Sequence, residues 1–373
     1  MRTVCQLDMC SNCGACINVC NKEAIKIYDD AQACNAVIDE TKCVDCHLCQ
    51  KTCHVASPIQ KNSPILWKQG WANDTKIRRK SSSGGLAAAI EKFFVEDGGV
   101  VCSCVFDHGN FGFAIVENVD NLDRFVGSKY VKSNPQNIFP QVKDYLKNGV
   151  KVLFVGLPCQ CAALKKYTKD DVLLYTVDLI CHGTPSVKML HSFLKEKGYR
   201  IEELTGLQFR QKNEFYLADG ENSMEPRSVR DRYTHAFLRS LCYTENCYSC
   251  QYASLERVSD LTLGDSWGSV LDENEQRNGI SLALCQSYKG QELLDRADVY
   301  LVDVDLDVAV QNNRQLKKPS EKPQKYELFY KTFLKTGNFN KSVKKCYFKF
   351  FVKQDIKSFL IKNGIMRRNN RES

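Results

Sequence analysis

No run of eighteen apolar residues occurs in the chain, which excludes a membrane-spanning helix read from hydropathy. The N-terminus, MRTVCQLDMC, has no apolar stretch of signal-peptide length before its cysteines, so the chain is expected to stay in the cytoplasm. A G-x-G-x-x-G and a Walker sequence are also missing, and a standard dinucleotide fold is not indicated. What abounds is cysteine, 20 in 373 residues of which 43% are hydrophobic, enough apolar content for two or three domains. In a reducing compartment so many thiols argue against a disulfide framework and for metal ligation or redox chemistry.

Four of them, Cys10, Cys13, Cys16 and Cys20, stand at C-x2-C-x2-C-x3-C spacing in CSNCGACINVC, and the run repeats as CVDCHLCQKTC with Cys43, Cys46, Cys49 and Cys53. A structural zinc site usually draws cysteine pairs from separated segments, whereas this compact run wraps a cubane 4Fe-4S cluster. The fourth cysteine of such a run ligates the other cluster. Cys10, Cys13, Cys16 and Cys53 are therefore expected on one cluster, and Cys43, Cys46, Cys49 and Cys20 on the second. Paired zinc knuckles are the alternative, and c-type haem attachment at Cys43 to His47 fails because both cysteines are needed in the longer run. EAIKIYDD and NAVIDE read as two short strands between the runs. Residues 1–57 resemble a bacterial two-cluster ferredoxin, with Asn21 and His54 where proline usually follows each fourth cysteine. Cys5 and Cys34 fall outside the pattern and read as spare thiols.

Residues 58–80 read as an ordered linker. RRKSSSGGLAAAIEKFFVEDGG then sets cations, serines and glycines before an amphipathic helix, an arrangement that suits an anion such as phosphate as well as an ordinary N-cap. VKVLFVG and DVLLYTVDLI are buried-type strands that hand over to helices at LPCQCAALKKY and CHGTPSVKMLHSFLKE, which predicts an α/β domain with a mainly parallel sheet. Cys159 and Cys181 then lie at the edge where open α/β sheets hold ligands. With Cys247 and Cys250 of CYTENCYSCQY, and Cys242 just upstream, four thiolates from separate loops can hold a third 4Fe-4S cluster, with zinc as the alternative.

GLPCQCAAL, DLICHGTPS, CYSCQY, SDLTLGDSWG, SSSGG and GSKYVKS together resemble the family of beta subunits of coenzyme F420-reducing hydrogenase and dehydrogenase, over about residues 65 to 330. The resemblance implies an FAD-binding domain carrying its own iron-sulfur cluster, and relatives that reduce deazaflavin coenzyme, divinyl chlorophyllide or hydroxymethyl chlorophyll. It implies Cys159, Cys181, Cys247 and Cys250 as ligands of the third cluster, with Cys242 or Cys161 as substitutes. The FAD pyrophosphate is then expected near Ser82, Ser83, Gly84 and Gly85, with Lys129 as a partner of the flavin and Asp265 fixing it. Bland readings stand beside these: a solvated Lys129 after a turn, and Asp265 as a local cap. His182 is a candidate proton shuttle, or a hydrogen-bonded structural histidine.

The expected order is thus a ferredoxin-like α+β domain (1–57), a linker (58–80), an α/β FAD and 4Fe-4S domain (81–330) and a basic helical tail (331–373). The tail holds twelve Lys or Arg against two Asp or Glu, net +10 in a chain of +8, so residues 1–330 sum to −2. Its apolar and lysine positions interleave as in an amphipathic helix that either lies on an anionic membrane surface or acidic partner, or packs on the core. No recognised module accompanies the charge, so nucleic acid is not an expected partner. The leading expectation is an FAD-dependent oxidoreductase that passes electrons from ferredoxin or another redox partner through 4Fe-4S clusters to an organic small molecule. The alternatives are a non-catalytic electron-transfer subunit of a larger complex, and a binding protein with structural clusters.

Overall fold

The computed structural model describes residues 1–366, so positions 367–373 of the anticipated tail lie outside the described residues. At the N-terminus β1 (Ile25–Asp29) pairs antiparallel with β2 (Cys34–Ile38), and each cysteine run leads into a short helix, Ala15–Asn18 or Leu48–Thr52. The sequence repeat reaches the backbone. Asn12 and Gly14 in the first run, and Asp45 and His47 at the matching places of the second, all take left-handed φ, +62° and +73° against +52° and +59°. Asn and Asp tolerate that region and Gly occupies it freely, so both runs make the same turn before their helices.

The rest of the chain builds β3 (Leu66–Ala72), β4 (Val100–Asp107), β5 (Asn110–Val116), β6 (Val152–Gly156) and β7 (Leu174–Leu179), then β8 (Leu207–Gln211), β9 (Glu214–Asp219), β10 (Asn222–Ser223), β11 (Leu261–Asp265), β12 (Ser281–Cys285) and β13 (Val299–Val302). Strands β8 to β10 form a small antiparallel sheet, and the others one eight-stranded sheet in the order β13-β3-β12-β11-β7-β6-β4-β5. Among the described residues only β4–β6, β6–β7 and β7–β11 pair in parallel. The expected mainly parallel sheet is therefore mixed: a parallel centre with antiparallel flanks. One flank arises because Asp107 to Asn110 closes a tight hairpin through left-handed His108 and Gly109, the turn geometry that matches strand twist.

Both faces of the parallel centre are covered, as such sheets require, and the two-residue period of the strands divides the layers. Val101, Leu153 and Val177 pack with Leu86, Ile90 and Phe94 of helix Leu86–Glu96 on one side. Val100, Val152, Phe154 and Leu174 pack with Phe139, Val142 and Leu164 on the other, and Cys13 and Ala15 of the N-terminal module join this second layer. The module is thus docked on the large domain.

Two segments differ from expectation. Residues 66–72 of the anticipated linker are a strand, β3, between β12 and β13. LWKQGWA is too polar for the strand pattern to show, yet Gly70 is required, since a Cβ there would sit 1.9 Å from the Tyr300 carbonyl oxygen. The tail is not one surface helix. Helices Phe339–Cys346 and Phe348–Lys362 break at Tyr347, and Phe339, Val343, Cys346 and Phe351 join the core around Phe193, Tyr233 and Phe329. Packing on the core thus accounts for much of the tail's apolar pattern, while Phe348, Ile356 and Phe359 stay exposed. Among the described residues no helix is long and apolar enough to cross a membrane.

Candidate metal centres and their surroundings

The two N-terminal cysteine sets occupy different surroundings. Cys20, Cys43, Cys46 and Cys49 line one small cavity of about 30 Å³ closed by Ile25, Ile38 and Arg2. Cys10, Cys13, Cys16 and Cys53 are buried elsewhere in the module, and burial, followed by the negative charge of Cys13, Cys10 and Cys53, raises the Cys16 thiol. Cys20, from the first run, shares its cavity with three cysteines of the second. Cys46 is exposed and its set faces water, whereas the first set is turned inward. Cys5, read as a spare thiol, lies within hydrogen-bonding reach of Cys10 and Cys53.

In the large domain Cys159 follows β6 and Cys181 follows β7, both at the carboxyl edge of the sheet. Cys247 and Cys250 arrive on the loop after helix Arg232–Leu238, and all four thiols line a single cavity of about 250 Å³. Of the two substitutes, Cys161 is fully buried under the sheet beside the Val177 carbonyl, 3.6 Å away, and Cys242 lies in the aromatic core, so neither lines the cavity. The anticipated linker clamps the cysteine loop, for Asn62 N–H donates to Arg257 O at 2.7 Å and Arg257 N–H donates back at 3.0 Å. Backbone donors already aim at sulfur: Asn12 N–H to Cys10 Sγ at 3.4 Å and Thr184 N–H to Cys247 Sγ at 3.5 Å.

The donor set fits a cluster. Each group is four cysteines, with Asp45 beside Cys43 in the small cavity, and such N–H···S contacts are a lever on cluster potential. Among the described residues no three His, Cys, Asp or Glu side chains converge tightly enough for one metal ion, whereas a cubane spreads its four ligands around a larger body.

The walls of the large cavity hold residues to which the sequence pattern gave no role. Lys132, 7% exposed, lines it. Burial opposes its charge, but the Cys247, Cys34, Cys159 and Cys10 thiols outweigh burial and raise its pKa. Arg257, 1% exposed, faces Asp178 at 3.7 Å with Nε and Nη2 unpartnered. His54, beside Cys53, shares one hydrogen bond with Ser11 Oγ and another with Tyr252 Oη, each 2.8 Å. Burial, then Lys166 and Lys132, pushes the His54 ring down to about 4, so it is neutral and holds both bonds with one N–H and one lone pair. Lys132 belongs to the GSKYVKS segment from which Lys129 was singled out, and a signal for it was available only as an unassigned cation.

The anticipated flavin residues gather at another part of the same sheet edge. Ser128 N–H donates to Ser82 Oγ at 3.1 Å, which brings the serine loop beside Lys129. Ser83 Oγ donates to Ile280 O at 3.0 Å and Gly84 N–H donates to Ser281 Oγ at 3.0 Å, so these groups fasten the loop to β12. A Cβ on Gly84 would lie 2.4 Å from Gly70 O, a second duty for that glycine. Lys129 donates to Phe125 O at 2.8 Å and Val126 O at 3.3 Å, and burial lowers its pKa. It is not the solvated lysine of the bland reading. Asp265 accepts a two-pronged pair of bonds from Arg210, both 2.7 Å. Lys212 donates to Ser83 O, and burial, then Arg78 and Arg210, lowers it to about 8. The charge of this corner fits an anion, although Ser82, Ser83, Gly84, Lys129 and Asp265 already bond within the protein. His182 stands at the open rim of the cysteine cavity, where surrounding protein and Arg210 lower its pKa against the pull of Asp265.

Residues 149–302, which contain all four cysteines of the cavity, match the family model for the C terminus of the coenzyme F420 hydrogenase/dehydrogenase beta subunit. A subunit of the F(420)H(2) dehydrogenase of Methanosarcina mazei is 24% identical over 297 residues, 73% of this chain and 81% of that protein. A chain of the F420-reducing NiFe hydrogenase complex from Methanosarcina barkeri superposes over 68% of this chain and 91% of its own, at 18% identity and a TM-score of 0.49, a likeness too loose to bear on the site. By the family match over residues 149–302, its motifs and its similarity to a dehydrogenase component, the chain resembles the coenzyme F420 hydrogenase/dehydrogenase beta subunits.

Proposed function

We propose that the chain is the electron-transfer subunit of a larger oxidoreductase. The observation that carries this reading is the convergence of Cys159, Cys181, Cys247 and Cys250, from three separate loops, on one cavity whose wall also includes Met9 and Ser11, the neighbours of Cys10. Cys10, Cys13, Cys16 and Cys53 would hold one 4Fe-4S cluster, Cys43, Cys46, Cys49 and Cys20 a second, and the cavity cysteines a third. Bound there, the clusters supply one-electron transfer. The chain's own residues bury the Cys10, Cys13, Cys16 and Cys53 set, offset thiolate charge with Lys132 and Arg257, and leave the Cys46 side open to a redox partner, either ferredoxin or another protein of the same complex. The similarity to a component of a dehydrogenase supports this role over a self-contained enzyme.

A flavin enzyme acting on a small organic substrate is the second reading, favoured by the cations Arg78, Arg210 and Lys212 around Ser82 to Gly85. There Ser82, Gly85 and Lys212 would face the FAD phosphates, with Lys129, Asp265 and His182 nearby. FAD would supply two-electron hydride chemistry. Iron and flavin content of anaerobically purified protein separates the readings: about twelve iron per chain without flavin fits the conduit, and one FAD besides fits the enzyme. About eight iron would remove the third set. Cys181→Ser is expected to leave the N-terminal sets reducible by dithionite while the third signal is lost by electron paramagnetic resonance.

A further inference from the structure

After Cys53 the ferredoxin-like module carries a histidine where proline is usual. Proline offers a fixed φ and no side-chain bond. His54 instead is 2% exposed and spends both ring nitrogens across the joint between the module and the large domain. Its Nε2 meets Ser11 Oγ, next to Cys10, and its Nδ1 meets Tyr252 Oη, two residues from Cys250. A second strand of the joint runs alongside: Gln251 Nε2, on the residue bonded to Cys250, donates to the His54 carbonyl at 3.1 Å and to Tyr252 Oη at 3.1 Å. The His54 and Tyr252 rings stand 5.5 Å apart, centroid to centroid. A further contact across the joint, from Ser249 Oγ to Met9 Sδ at 3.4 Å, is longer and lies in the open. The bond between His54 and Tyr252 is the short, buried crossing between the neighbours of the two cysteine sets.

We infer that His54 and Tyr252 form the inter-domain electron route, a positioning pair that couples the centre held by Cys10, Cys13, Cys16 and Cys53 to the one held by Cys159, Cys181, Cys247 and Cys250. This inference rests on the cluster reading above. The route is covalent from Cys53 to His54, crosses one 2.8 Å hydrogen bond, and is covalent again from Tyr252 to Cys250. A single electron crosses it: the donor-side centre is oxidised by one electron and the acceptor-side centre reduced by one, no bond is made or broken, and no proton leaves either ring. Two hydroxyls shared with one imidazole also lock the ring, which keeps the coupling constant while the two domains stay docked.

The test uses anaerobically reconstituted full-length protein as wild type, Tyr252→Phe and His54→Phe. Each receives less than one electron per chain from dithionite and is frozen at millisecond times. Electron paramagnetic resonance reads which centre holds the electron, the signals being assigned from those lost in Cys46→Ser and Cys181→Ser. Tyr252→Phe, which removes one hydroxyl, is expected to slow equilibration between the first and third centres severalfold while iron content and both midpoint potentials stay at wild-type values. A residue that merely packs would shift potentials or iron content and leave the rate between intact centres alone. Unchanged equilibration in Tyr252→Phe at full iron content overturns the route, even where His54→Phe fails to fold. Wild-type protein with about eight iron and no signal that Cys181→Ser removes overturns both the route and the third cluster, and that missing signal tells this failure from failure of the route alone.

Discussion

Lys132 carries its positive charge among the cavity thiols, where it also donates to Asn246 Oδ1 at 3.4 Å. A unit charge held roughly 8 Å from a redox centre in a medium of effective dielectric about 20 is worth about 2 kcal/mol, or about 90 mV for a one-electron couple. Lys132→Met is therefore expected to lower the midpoint potential of the cavity centre, and less strongly that of the first N-terminal centre, by tens of millivolts in a potentiometric titration. Glu91 supplies a second residue-scale prediction. It is buried on helix Leu86–Glu96, and burial, opposed by Lys129, raises it from 4.5 to about 8. A carboxyl whose folded pKa is raised binds its proton more tightly in the native state. Its stabilising effect is complete below about 4.5 and is lost as pH climbs toward 8. Thermal midpoints should fall across that window, on the order of a few kcal/mol in all, and Glu91→Gln should flatten the decline.

At the scale of elements, the tail tests whether helices Phe339–Cys346 and Phe348–Lys362 belong to the fold. Phe339 is fully buried between Phe193, Tyr233 and Phe329, whereas Phe359 is 62% exposed on the next helix. Phe339→Ala should cost about 3–5 kcal/mol in denaturant unfolding, and Phe359→Ala about 0.5 kcal/mol or less. The same contrast explains what could be read in the sequence. The cysteine runs, β6, β7 and their helices were legible because metal spacing and all-apolar strands are local signals. β3 was not, because LWKQGWA is held by the backbones of β12 and β13 and needs Gly70 for closeness to Tyr300, which no local pattern encodes. The tail's apolar positions were visible, but which of them face inward depends on helices far away in sequence.

For the whole molecule, the candidate site was legible as a list of cysteines and not as a circuit. Spacing grouped the N-terminal eight, and strand ends brought Cys159 and Cys181 to one edge. The residues that join the module to the large domain, His54, Ser11, Tyr252 and Lys132, come from four places in the chain and meet only after docking. At the corner from Ser82 to Gly85, distance in sequence hides bonding partners instead. Its serines and glycines looked ready for a ligand because their hydrogen-bonding partners, Ile280 and Ser281, lie some two hundred residues on, at a separation of 197 for each bond.

The left-handed turns at Asn12 and Gly14, and at Asp45 and His47, make the two N-terminal cysteine sets twins in backbone, yet one twin is inside and the other faces water. Identical chemistry in unequal shelter ages unequally. Oxidants attack accessible thiolate sulfur first, so in a chain holding the three proposed clusters brief exposure to air should strip the Cys20, Cys43, Cys46 and Cys49 set before the rest, leaving about eight of twelve iron and a protein still reducible by small dyes but deaf to the proposed protein donor. Iron analysis and donor-dependent reduction, followed together over minutes of aeration, would show the second vanish while most of the first remains.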